Sequence, residues 1–156
     1  MANYTLTLIE NTYDVAAYHQ IRQRVLFGGS HDYIRNGTEE VKDENLSLHL
    51  KLDGVPIGTV RLDQKSDRKA VVRLVAIVPR LQRAGHGTAL MGRVEGLAST
   101  LSIEELLVHA LPAASGFYLK LGYAPFTFDS DNHESVQLRK MIPNMTASNV
   151  FLPLIS

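Results

Sequence analysis

The chain has 156 residues, 45% of them hydrophobic and 21% charged, with 16 Lys+Arg against 16 Asp+Glu and no cysteine. That length suits a single domain over residues 1–156 with a respectable core. The charge balance supplies no overall field for nucleic acid or a membrane surface, and the lack of cysteine excludes disulfides, thiolate ligands and a cysteine nucleophile. No apolar run is long enough to span a bilayer, and no basic stretch followed by an apolar one opens the chain, so a cytoplasmic protein is expected.

In chain order, Tyr4 to Ile9 alternates polar and apolar and predicts a strand. Asn11 or Thr12 can cap a helix running to about Phe27, with Val15, Tyr18, Ile21 and Val25 on its inner face, and Gly28-Gly29-Ser30 ends it. Residues 30 to 45 are polar, with room for a short helix. Leu46 to Leu52 alternates, Asp53-Gly54 predicts a hairpin turn, and Val55 to Leu62 returns as the second strand. Lys65 to Arg68 makes another turn. Ala70 to Val78 is nearly all apolar, as a central strand buried on both faces would be.

A helix is expected from about Gly87 to Leu101, its apolar stripe made by Leu90, Val94, Leu97 and Leu101. Thr88, Gly92, Gly96 and Thr100 form a second stripe of small residues, either a surface of close approach or tolerated surface glycines. Leu106 to Ala110 predicts a strand. Pro112 and Gly122 bracket a short helix over Ala113 to Leu121. Tyr123 to Phe128 and Ser135 to Ile142 read as two further strands, and the apolar tail at 150–155 packs on the body or on a partner subunit, which leaves a homodimer open. An antiparallel meander feeding a parallel crossover makes a mixed sheet of the α/β or α+β class.

The stretch with most chemistry is the β-branched strand that stops at Pro79, followed by Gln82-Arg83-Ala84-Gly85-His86-Gly87-Thr88 at a helix start. Free amides and the positive helix dipole meet there, which suits a pyrophosphate. Between residues 68 and 94 there are six basic residues (Arg68, Lys69, Arg73, Arg80, Arg83, Arg93), and Glu is absent until position 95. A Walker loop would need a lysine before Thr88, and a dinucleotide loop would need a third glycine after an early strand; neither is present. Six histidines are scattered without ligand spacing, so no metal is expected.

The run from Val75 to Gly87 resembles the acetyl-CoA signature of the GCN5-related N-acetyltransferase (GNAT) superfamily: a hydrophobic strand, a proline, then Arg/Gln-x-x-Gly-x-Gly/Ala. Ala114-Ser115-Gly116-Phe117-Tyr118-Leu119-Lys120-Leu121-Gly122-Tyr123 is similar to the family's second signature, and the segment from Asp43 to Arg61 resembles a small bacterial branch of it. The resemblance implies the GNAT fold, with a splayed parallel pair in a mostly antiparallel sheet. It implies acetyl-CoA as cosubstrate, transfer to a small-molecule or peptide amine, and no metal. Backbone groups at Ala76, Ile77 and Val78 would bond pantetheine, amides from Gln82 through Thr88 would bind pyrophosphate, and Ala114 and Phe117 would complete the coenzyme A site. Arg83 stands where the family often has glycine. Tyr118 matches the general acid that protonates the leaving thiolate. Leu111 departs from the family's frequent asparagine.

No base is selected. The central strand carries only Arg73 as a charge, and Asp63, Glu44, His49 and His109 are candidates elsewhere. Acidic residues at Glu39, Glu40, Asp43 and Glu44, and at Asp129, Asp131 and Glu134, suggest a cationic acceptor. A non-catalytic acyl-CoA-binding sensor or assembly module and O-acyl transfer stay open as alternatives.

Overall fold

The computed structural model describes residues 3–28 and 42–143. The segment 29–41, with Glu39, Glu40 and the short helix expected near it, and the tail from 144 lie outside the described residues. The described elements are β1 (Tyr4–Leu8), α1 (Thr12–Leu26), β2 (Asn45–Leu52), β3 (Val55–Gln64), β4 (Lys69–Ile77), α2 (His86–Thr100), β5 (Glu105–Ala110), α3 (Ser115–Lys120), β6 (Ala124–Pro125) and β7 (Val136–Met141). The strand order is β1-β2-β3-β4-β5-β7-β6 in a mixed sheet, the GNAT arrangement expected above. Two compact units divide the chain, one of Met1–Gln64 with Val72–Val94, the other of Lys65–Val71 with Glu95–Ser156.

In the first unit, β1 pairs antiparallel with β2, and β2 with β3. The β2–β3 hairpin closes through Asp53 and Gly54, whose φ values of 50° and 85° are those of a type I′ turn. Alternation then sorts the side chains. Leu48, Leu50, Val60 and Leu62 are buried on one face. The other face is polar: Asn45, Ser47 and His49 on β2 stand opposite Asp63, Arg61 and Thr59 on β3, and all but the half-buried Ser47 are buried. Helix α1 starts on its Asn11 cap, whose side chain accepts from the Asp14 amide at 2.8 Å. It buries Asp14, Tyr18, His19, Ile21 and Arg22. This corrects the expected inner face. Val15 is exposed and Val25 half-buried, because α1 supplies polar partners as well as apolar ones: Asp14 lies 3.5 Å from Lys51, and Arg22 donates to the Tyr18 hydroxyl at 2.8 Å.

Strand β4 is not buried on both faces throughout. Arg73, Leu74 and Val75 are half-buried, and Leu74 has φ +56°, a left-handed backbone within the strand. Gly58 on β3 lets β4 come close, since a Cβ there would stand 2.8 Å from Ile77 Cδ1 and 3.0 Å from the Ala76 carbonyl oxygen.

In the second unit, the Arg68 carbonyl accepts from the Glu104 and Glu105 amides, which sets the start of β4 beside the start of β5. The α2 crossover makes these strands parallel. β5 pairs antiparallel with β7, and β7 with the two-residue β6. The strand expected over 123–128 is thus cut short. The Gln137 side chain takes the place of a ladder there, its Oε1 accepting from the Phe128 and Asp129 amides at 2.8 Å each. On α2, the buried positions are Leu90, Met91, Val94 and Ala98, while Leu97 is half-buried and Leu101 exposed, so the expected stripe is rotated. Gly92 and Gly96 are exposed, with no described atom within 4 Å of a Cβ at either.

Candidate active site

The β4–α2 junction is built by a proline and two left-handed residues. Pro79 opens a 3₁₀ turn, Pro79–Leu81, in which the Leu81 amide donates to the Val78 carbonyl at 3.0 Å. The Val78 amide donates to Ile57 on β3 at 2.8 Å, so the strand end is fixed to its neighbour. Gln82 folds back, its Nε2 donating to the Ile77 carbonyl at 2.9 Å. Arg83 then takes φ +62° and Gly85 φ +87°. The position where the family often has glycine is therefore one with a left-handed backbone. Gly85 accepts the first helical bond, from Ala89 at 3.1 Å. The amides of residues 83–88 donate to no backbone carbonyl among the described residues, as a helix start requires. Arg83, Ala84, Gly85 and Thr88 are exposed, and His86 and Gly87 half-buried. His86 Nδ1 lies 2.7 Å from the Tyr4 hydroxyl, which ties the loop to β1.

The basic run is less unbalanced than its sequence. Arg68 pairs with Glu104 at 2.9 Å, Lys69 with Glu105 at 3.9 Å and Arg73 with Asp63 at 3.0 Å. Arg80, Arg83 and Arg93 remain exposed around the loop. A cavity of about 380 Å³ opens beside it, lined by Gln20, Ile21, Arg24 and Val25 of α1 and by Val78, Pro79 and Arg80.

The second group of expected site residues lies in the second unit. Pro112–Ala114 forms a 3₁₀ turn leading into α3, and Gly122 with φ +96° ends it. Ala114 and Phe117 are half-buried, and Leu111 is 70% exposed. Tyr118 is 5% exposed, edge-on to Phe117 at 5.0 Å and to Tyr123 at 5.6 Å. Burial pushes its phenol up to about 12, so it stays protonated at neutral pH. No described residue hydrogen-bonds its hydroxyl. Tyr123 holds the ring in place. Its own hydroxyl donates to Glu95 at 2.9 Å, and both burial and that carboxylate raise its pKa. Lys140 donates to Glu95 at 2.9 Å and to the Leu121 carbonyl at 2.7 Å. Glu95 and Lys140 carry no sequence signal, since each meets Tyr123 only through the fold.

The base candidates are placed as follows. Asp63 is 1% exposed and engaged by Arg61 and Arg73. His49 is fully buried, neither ring nitrogen is hydrogen-bonded, and burial lowers its pKa below 6.5. His109 Nδ1 lies 2.8 Å from Ser135 Oγ, with Asp129 3.8 Å from its other nitrogen. Glu44 is exposed, as is Asp43. Asp129, Asp131 and Glu134 line an open polar hollow with Asn132 and His133. Among the described residues no group of three His, Asp or Glu side chains converges as metal ligands would, and no helix is long and apolar enough to cross a membrane.

The family model described as "Acetyltransferase (GNAT) domain" matches residues 27–141. Solved structures with the same fold include Tetrahymena GCN5, with TM-score 0.75 and 19% identity over 91% of this chain and 97% of that one. The Escherichia coli ribosomal-protein-S18-alanine N-acetyltransferase is similar with TM-score 0.67 and 21% identity, over 90% of this chain and 94% of that one. The PaiA N-acetyltransferase from Thermoplasma acidophilum, solved in complex with coenzyme A, gives TM-score 0.68 and 16% identity over 89% and 99%. No curated protein sequence matches the chain significantly.

Proposed function

The chain belongs to the GNAT acetyltransferase family, and from that premise we propose that it moves an acetyl group from acetyl-CoA to a primary amine by direct attack in a ternary complex. One domain spanning the chain, working in the cytoplasm, performs the reaction. The observation that carries this reading is the run of unpaired amides over residues 83–88, opened by left-handed Arg83 and Gly85. These amides bind the pyrophosphate, whereas the Gln82 amide already donates to the Pro79 carbonyl at 3.3 Å. Because the Val78 amide is taken by Ile57, pantetheine bonds fall mainly to Ala76, Ile77 and the Val78 carbonyl. Ala114 and Phe117 border the other end of the cosubstrate.

The amine nitrogen attacks the thioester carbonyl carbon, the C–S bond breaks, and coenzyme A leaves as a thiolate. An alkyl ammonium of pKa about 10.4 is neutral in roughly one molecule in 2,500 at pH 7, so the attacking amine must first lose a proton. No candidate base is free and buried beside it, and water is the acceptor of that proton. Tyr118 serves the leaving sulfur. A phenol at about 12 does not surrender its proton fully to a thiolate of pKa about 8.5. Its contribution is therefore a preformed hydrogen bond to charge that develops in the transition state. Without a cysteine, no acyl-enzyme forms on a thiol.

Calorimetry with acetyl-CoA tests the loop. Gly85→Ala meets no clash, because nothing lies within 4 Å of its Cβ, but it disfavours the φ of +87°. A left-handed residue with a Cβ costs about 1–2 kcal/mol, so acetyl-CoA affinity should fall roughly tenfold. Unaltered affinity rejects the cradle. Tight binding with no thiol released on any amine would instead support the sensor reading, which the engaged or sealed base candidates favour.

A further inference from the structure

His49 is 0% exposed, and neither of its ring nitrogens has a hydrogen-bond partner. Buried polar atoms are seldom left this way, because the bonds they give up to water go unreplaced. Acetyl transfer makes no use of the ring. Two charged groups face it. Asp14 of α1 brings Oδ2 to 3.9 Å from Nε2, and Lys51 of β2 lies 3.5 Å from the other carboxylate oxygen, Oδ1. The cross-strand neighbours of His49, Thr7 on β1 and Thr59 on β3, carry no charge.

Asp14 also closes the corner between β1 and α1. Its Oδ2 accepts from the Glu10 amide at 3.4 Å, while its own amide donates to the Asn11 side chain at 2.8 Å. One carboxylate therefore meets Lys51 and the Glu10 amide and stops just short of the imidazole. Its contacts of 3.5 Å and 3.4 Å are long, so neither holds it tightly.

With His49 neutral, the charges of Asp14 and Lys51 cancel. A proton taken from solvent by the ring changes that count. It puts one positive charge in excess at a sealed position, and the nearest relief is the carboxylate 3.9 Å away. Lys51, with a side chain 26% exposed, can turn to water, whereas the ring cannot. Burial holds the imidazole below 6.5; Asp14 opposes that and Lys51 reinforces it. The burial of Tyr18 and Ile21 keeps the rest of α1 in place.

We propose that His49 is an acid-operated latch: once protonated, it draws the Asp14 carboxylate away from Lys51 and the Glu10 amide, and the β1–α1 corner opens while α1 stays packed. The latch is a property of the fold and does not depend on the acceptor or on the reaction.

The test follows the imidazole signals of the whole chain by NMR from about pH 8 to pH 5, beside hydrogen exchange at the Glu10 amide. The His49 signal is the one lost in His49→Gln. Protection of the Glu10 amide should fall about tenfold as that ring titrates, and should stay level in His49→Gln. Lys51→Met removes a competing positive charge, so the midpoint should rise and the Glu10 step should rise with it. Asp14→Asn should lower the midpoint by about one pH unit or more. Lys51 is partly exposed, so its variant keeps the test open where the other two fold poorly. A midpoint indifferent to Lys51→Met, a Glu10 amide protected throughout the titration, or a ring that stays neutral until the whole chain unfolds overturns the proposal.

Discussion

Removing one oxygen atom, in Tyr118→Phe, should lower activity and leave stability nearly unchanged. The phenol is 5% exposed, and no described residue hydrogen-bonds its hydroxyl. Burial raises its pKa from 10.0 to about 12, which favours the neutral form. The hydroxyl oxygen is not sealed from solvent, so losing it changes the fold little, and the phenylalanine ring preserves the edge contacts with Phe117 and Tyr123. The variant should therefore melt close to the wild type. Turnover should nevertheless fall by about 10²–10³, the usual worth of one hydrogen-bond donor to transition-state charge, with acetyl-CoA affinity within twofold. The pH dependence carries a second signature. A group whose pKa is raised by folding contributes its stability fully below 10.0 and loses it as pH rises through about 12, so the wild type should lose more stability than the variant across that window. Differential scanning fluorimetry, calorimetry with acetyl-CoA and thiol-release kinetics read all three. A variant that melts several degrees lower and turns over at the wild-type rate would show that the hydroxyl packs and does not catalyse.

Two further substitutions probe the same frame. Gly58→Ala places a Cβ 3.0 Å from the Ala76 carbonyl oxygen and 2.8 Å from Ile77 Cδ1; overpacking of this kind costs about 1–3 kcal/mol, and the melting temperature and acetyl-CoA affinity should fall together, whereas loss of neither refutes the close approach. His49→Leu removes a buried imidazole that burial holds below 6.5. The unfolded chain takes up that proton first as pH falls below 6.5, so the wild type loses stability through the depressed folded pKa. Urea melts of the leucine variant should show a shallower loss on the acid side, and an identical slope would place the acid sensitivity elsewhere.

Local chemistry made some of this molecule legible from its residues alone. Asp53-Gly54 can hardly avoid a type I′ turn, and Pro112 and Gly122 bracket α3 as their backbones dictate. The glycine loop and the Phe117-Tyr118 segment were visible because each needs its residues consecutive in sequence. What stayed hidden depends on partners far apart in the chain. Asp14 is buried where His49 and Lys51 of β2 approach it, and Arg22 where it meets the Tyr18 hydroxyl, so an apolar criterion selects Val15 instead. The pairing of Arg68 with Glu104, of Lys69 with Glu105 and of Arg73 with Asp63 dissolves half of an apparently unbalanced basic run. The first strand of the last hairpin looks long because Phe126 and Phe128 favour extended backbone, yet a single glutamine amide satisfies the groups a longer ladder would have used.

The bond between Tyr4 and His86 joins residues 82 positions apart, one on the first strand and one at the mouth of α2. The orientation of the loop amides is thus not a property of the local segment, and an excised strand–loop–helix peptide would lack the brace that holds them. Ligand occupancy and docking of the first strand become a linked equilibrium. Amide hydrogens of residues 4–8 should exchange more slowly when acetyl-CoA is bound.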